Sequence, residues 1–243
     1  MRPPDNARER LVMSALPLKA GIPRSMCHVA KCQYAASNVD LEMKEAPNLR
    51  YHPFMDDRLS RRCESHVRQL TQLIDDMRSP VRDVPDIDPN DGGTDARALF
   101  FLETPGPQAI NGYVSRDNCD DTAKNFLGAC SEAGLDRKQT ALWNVFPFCL
   151  PAGRLNPTTS EILSCISHTQ AFINAFHQLD VVVFCGNSAK KVMPRLNCGK
   201  AIVLETFHTG ARSHRVLYQR AHIEMTFHFA AAIVNNSRAP TRA

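Results

Sequence analysis

Three side chains and one turn in this sequence have the makings of a chemical site. They are Glu103 in "LFFLETPGPQA", Asn144 in "TALWNVFPF", His208 in "KAIVLETFHTGARSHR", and the turn Gly186-Asn187-Ser188 after "DVVVFC". A carboxylate can hold or polarise a water. A primary amide presents a donor and an acceptor side by side. An imidazole can donate a hydrogen bond to a growing negative charge. A helix N-terminus carries unpaired N–H groups that suit an anion. Each also has a plainer reading. Glu103 could cap a turn or pair with a cation, Asn144 could satisfy backbone groups, His208 could be a solvated surface residue, and the turn could simply lead a strand into a helix. They are far apart in the chain, so only the fold can make a site of them.

Each of the four stands at the end of an apolar run, and the runs alternate with helical patterns. Cys63, Val67, Leu70, Ile74 and Met77 recur three or four apart, which predicts a helix ended by Pro80. "VPDIDPNDGGTDA" reads as a loop. Residues 97–102 form a first short strand. "DDTAKNFLGACSEAG" is a helix with Asp120 or Asp121 as N-cap and Gly134 as its stop. "TALWNVFPF" is a second strand, cut at Pro147. "TTSEILSCISHTQAFINAFHQL" is one long helix. "DVVVFCG" is a third strand, "NSAKKVMPRL" a short helix, "KAIVLETFH" a fourth strand, and "SHRVLYQRAHIEMTFHFAAAIVNN" a closing helix.

Strands without a polar face, separated by helices, imply a parallel sheet covered on both sides. The expected fold is therefore α/β, a three-layer α/β/α sandwich around a four-stranded parallel sheet, over residues 59–243. Residues 1–58 lack periodicity and are broken by Pro, Gly and Ser, as in an irregular N-terminal extension. In such sheets ligands sit beyond the carboxyl ends of the strands. A carboxylate, an amide, a helix N-terminus and an imidazole should all meet there.

The bulk composition sets limits on function. The chain has 243 residues, 43% of them hydrophobic, which suffices for a sizeable core. A net charge of +4 permits nucleic-acid contact without arguing for it. The nine cysteines are scattered, and Cys130, Cys165 and Cys185 sit inside apolar runs, as buried thiols of a reducing compartment do. The closest pair, Cys27 and Cys32, has no second pair of ligands at metal spacing. No secretory leader and no run of about 20 apolar residues is visible. The expectation is a cytoplasmic, monomeric protein with no metal, no cofactor and no membrane contact.

At this point three motifs carry a resemblance. "LFFLETPGP", "WNVFPF" and "ETFHTGARS" resemble, in order, the three signatures of the uracil-DNA glycosylase superfamily. The first is similar to its water-activating loop, the second to its strand-end Asn before a Pro-aromatic turn, and the third to its last-strand His loop. The stretch from "IDPNDGGTDA" to "WNVFPF" is closest to a bacterial branch with an LESPGP-type first motif, and the resemblance covers roughly residues 85 to 235.

The resemblance implies hydrolysis of the N-glycosidic bond of uracil, and of other deaminated bases, in DNA, the first step of base-excision repair. By resemblance, Asn144 reads the uracil edge and His208 donates to uracil O2. Glu103 holds or polarises the water. Tyr113, with Phe148 as competitor, stacks on the flipped base. Pro105, Gly106 and Pro107 form a stiff loop beside the DNA, and Arg212 and Arg215 contact phosphates. Two positions depart from the pattern. Thr104 stands where the classical branch has an Asp, and "HTGARSHR" lacks the Pro and Ser that follow the family His. The cysteine ligands of the iron–sulfur branch are not matched. Two other readings therefore stay open: a catalytically weak or inactive module that binds DNA or a base, and a different small-molecule enzyme on a flavodoxin-like sheet.

Overall fold

The computed structural model describes residues 55–106, 109 and 112–237. Most of the expected extension (1–54), with Cys27 and Cys32, lies outside the described residues, as does Pro107. Residues 55–58 belong to the first described helix, α1 (Met55–Ser60). A 3-10 turn at 61–63 follows, and then α2 (Ser65–Met77). The helix expected from about Arg61 thus begins later. Glu64 is extended, at ψ 145°, which leaves Cys63 exposed in the turn while Val67, Leu70, Ile74 and Met77 are buried as the spacing implies.

The main sheet has β2 (Ala98–Leu102), β4 (Thr140–Asn144), β5 (Val181–Cys185) and β6 (Ile202–Thr206). Their order is β4-β2-β5-β6, and every pairing is parallel. β2, β4 and β5 are buried on both faces, as strands without a polar face must be. β6 departs from that rule. It is an edge strand, with Ile202 50% and Val203 41% exposed. A second, two-stranded sheet pairs β1 (Asp86–Ile87) with β3 (Tyr113–Val114), where the sequence reads only as loop.

Helices α3 (Asp121–Ala133) and α8 (Leu217–Asn236) cover one face of the main sheet. Phe100 of β2 meets Phe126 of α3 and Phe227 of α8 there, with ring centroids 5.1 and 4.8 Å away. On the other face Phe101 stacks on Phe184, and Trp143 on Phe172 of α5 (Ile166–Asn174). α2, α4 (Thr159–Ser164) and α6 (Asn187–Val192) complete that layer. The alternation of side chains along β2 thus supplies both halves of the core.

The other helix boundaries follow local chemistry. Asp120, rather than Asp121, caps α3, and Gly134 ends it in the left-handed region at φ 70°. The long helix expected over residues 158–179 is two helices. At Cys165 the thiol takes the carbonyl of Glu161 while the backbone N–H turns to Ile162, and the axis breaks. The closing helix starts only at Leu217, because Val216 is extended. A short α7 (Ala211–His214) precedes it.

One flank holds six buried or part-buried charges. Arg137 contacts Asp88, Asp91 and Asp117 at 2.8 to 2.9 Å. Arg58 of α1 reaches Asp88 at 3.2 Å and Asp117 at 2.5 Å, and Arg116 reaches Asp91 at 3.2 Å. Three arginines against three aspartates leave this cluster neutral. Burial pushes the Asp91 carboxyl up to about 6, and Asp88 adds to that, while Arg116 and Arg137 pull it down.

Candidate active site

Register explains why the strand ends converge. Leu102 lies beside Asn144, Phe101 beside Phe184, and Cys185 beside Thr206. The pairing continues for one step past the strands. The N–H groups of Val145 and Phe146 donate to the carbonyls of Leu102 and Glu103, and Gly186 donates to Thr206. Glu103, Asn144, Gly186 and the residues after Thr206 therefore stand level on one sheet edge.

A cavity of about 190 Å³ opens at that edge. This is the space of roughly six waters at about 30 Å³ each. Glu103, Asn144 and His208 all line it, together with Thr104, Pro105 and Gly106. Asn144 is only 2% exposed, yet its side-chain amide makes no hydrogen bond among the described residues. The residue lines the cavity, so a molecule held there can meet the donor and the acceptor of the amide.

His208 is fixed by its loop. The Gly210 N–H donates to Nδ1 at 3.0 Å, so Nδ1 accepts and the proton of the neutral ring sits on Nε2. Asn125 of α3 ties this loop down by donating to the Thr209 carbonyl at 2.8 Å. Gly186 lets the β5–α6 turn close against the ring. Its φ is 92°, and a Cβ there would stand 3.0 Å from His208 Cβ. Burial holds the imidazole pKa below its ordinary value, while Glu103 and Asp120 pull the other way. At neutral pH the ring is thus an uncharged donor.

Glu103 is positioned by the turn after β5. Ser188 Oγ donates to its Oε1 at 2.6 Å, which leaves Oε2 for another partner. The Gly186-Asn187-Ser188 turn therefore enters the site through a side chain rather than as an anion cradle. Thr104 Oγ1 donates to the Phe148 carbonyl at 3.3 Å and ties the first loop to the second.

Other expected site residues fall elsewhere. Tyr113 does not line the cavity. Its neighbour Val114 does, and alternation along β3 turns Tyr113 the other way, where Arg58 lies 5.9 Å from its ring centroid. Phe148 is also absent from the wall. Its ring packs edge-on to Phe146 and His168, with Arg82 above it at 5.1 Å. Neither ring is among the residues that line the cavity. Arg212 and Arg215 are exposed on α7 and its C-cap, and neither is in an ion pair among the described residues.

The sequence reading missed several wall residues. Leu155 and Asn156 come from the β4–α4 loop, which is held by the Thr158–Glu161 capping box and by Arg154 on Glu161. No sequence signal marks them, because Leu155 lies eleven residues past the strand end at Asn144 and only the fold brings it back to the cavity. Ser115 and Asp120 also line the cavity. Ser115 belongs at the same time to the charged flank, where it donates to Asp88 and accepts from Arg58 at 3.2 Å.

A doubly covered parallel sheet with a polar cleft at its carboxyl edge defines an α/β domain of the class that binds ligands at strand ends. Within that class the family is given directly. The family model of the uracil DNA glycosylase superfamily matches residues 89–231, and the chain belongs to that superfamily. The matched span runs from the loop before β2 into α8 and includes every wall residue named above. No curated protein matches the sequence. No helix among the described residues is long and apolar enough to cross a membrane.

Proposed function

We propose that this chain is a monofunctional DNA glycosylase that hydrolyses the N-glycosidic bond of uracil in DNA and so begins base-excision repair. The observation that carries the reading is Asn144, which is 2% exposed, lines the cavity and makes no side-chain hydrogen bond among the described residues. Such a group is prepared for a ligand that offers one acceptor and one donor side by side. Uracil O4 and N3–H make that pair, and cytosine presents the reverse. The wrong base would leave buried groups unpaired, at about 1–3 kcal/mol per group.

The bond to be cut lies inside the stack, so the nucleotide must first turn out into the cleft. The Pro105–Gly106 backbone then lies beside it, and the exposed Arg212 and Arg215 meet phosphates. As the bond to C1′ breaks, negative charge grows on uracil O2. The Nε2–H of His208 donates to it, and a preorganised donor of this kind lowers a barrier by about 3–4 kcal/mol. Glu103, held by Ser188, keeps the attacking water in place. No step draws on a metal or an organic cofactor.

The experiment is release of uracil from a labelled oligonucleotide, single- and double-stranded, followed by alkaline cleavage. Wild type should cut, and His208→Ala should fall about a hundredfold, or about 3 kcal/mol. Thr104, in place of an acid, favours a module that binds without cutting. Binding of the strand with the uracil left intact would support that alternative and refute hydrolysis.

A further inference from the structure

Asp120 enters the site from an element whose only expected role was structural. Its Oδ1 accepts the Ala123 N–H at 2.9 Å and caps α3. The cap uses one oxygen. Oδ2 lies 4.0 Å from the point where a Gly106 Cβ would stand, so it faces the Pro105–Gly106 turn. The side chain lines the cavity with Thr104, Asn144 and His208, and its charge is felt at the imidazole. A neutral Asn caps a helix as well as an Asp does. The helix dipole adds only a small preference for an anion at the cap, so the cap accounts for the charge only in part. Thr104, at the end of the first strand, supplies no second acid.

From this geometry we infer that Asp120 is a second catalytic carboxylate, which takes the proton of the water that attacks the sugar. The inference rests on the uracil reading above. In the step, the N1–C1′ bond breaks and its electron pair leaves with the uracil, as an anion held by His208 and Asn144. The water oxygen bonds C1′, and the proton it sheds passes to Oδ2 of Asp120. That proton and the uracil anion balance, so the products are free uracil and an abasic deoxyribose. Before attack, the carboxylate also faces the positive charge that develops at C1′. Glu103, fixed by the bond from Ser188, keeps the role of holding the water.

The test separates charge from cap. Asp120→Asn keeps an N-cap and removes the anion, and Asp120→Ser does the same with a hydroxyl. Single-turnover uracil release, affinity for the uracil-containing strand and thermal unfolding are measured for wild type and both variants. The expected result is release about a hundredfold lower in both, with melting temperature and strand affinity unchanged. Release within about threefold of wild type in either folded variant would make Asp120 a cap only, while the glycosylase reading stood. A wild type that releases no uracil would overturn both.

Discussion

The charged flank and the cleft use the same kind of residue to opposite ends. Both hold polar side chains taken out of water. On the flank, Arg58, Arg116 and Arg137 meet Asp88, Asp91 and Asp117, so the charges close on one another. In the cleft, the Asn144 amide has no partner among the described residues, Glu103 and Asp120 each have one oxygen engaged, and Oδ2 of Asp120 lies against the Gly106 turn. The flank pairs its charges, although Arg58 Nε, Arg116 Nε and Asp91 Oδ2 make no hydrogen bond among the described residues, whereas the cleft turns its polar groups to a space that a ligand can fill. Burial of a polar group does not distinguish the two, but the state of its partners does. Ser115, in the wall and bonded to the flank, joins the two regions.

The largest effect should come from opening the flank. Arg137→Ala leaves Arg58 and Arg116 to face Asp88, Asp91 and Asp117, and the one uncompensated charge costs up to about 3–5 kcal/mol. Urea unfolding should show that loss. A loss below 1 kcal/mol would mean that the flank is not closed in the sense argued here.

A smaller effect is expected at the turn that packs on His208. Gly186→Ala strains a backbone at φ 92° and sets a methyl against the imidazole. It should reduce stability by about 1–2 kcal/mol and slow uracil release about tenfold by displacing the ring. Unchanged release in a folded Gly186→Ala variant would show that His208 need not be held where it is.

The smallest effects are in pH, and their signs oppose. Asp91 in the native protein titrates near 6, above its ordinary value of 3.8. Between those values the native state keeps a proton that the unfolded chain releases. Its contribution is therefore full below about pH 4 and declines as pH rises to about 6. His208 is shifted downward by burial. Its contribution is full above the ordinary value of 6.5 and is lost as pH falls through the lower native value. Asp91→Asn should remove the first dependence and His208→Ala the second, each read from urea midpoints across pH 4 to 7.

Much of this architecture was legible in the sequence because each strand is an apolar run closed by Pro, Gly or a polar residue. Parallel topology then fixes which ends meet, and Glu103, Asn144 and His208 do meet. What stayed hidden was decided by side-chain direction and tertiary bonding. Tyr113 and Phe148 are aromatic and close in sequence to the loops, yet alternation and core packing turn both rings away from the wall. The break at Cys165 depends on a thiol finding a carbonyl, which periodicity does not express. Asp120 read as a cap and is one, but its second oxygen becomes visible only once the Gly106 turn is folded against it.

The central claim is that the Asn144 amide is held open for a base. Single-turnover uracil release by Asn144→Ala, measured beside its melting temperature, tests this most directly. Release should fall about a hundredfold, about 2.7 kcal/mol, while the melting temperature stays level or rises, because no hydrogen bond to a described residue is lost. A marked drop in melting temperature with release retained would contradict the account, because Asn144 would then be one more closed bond of the fold.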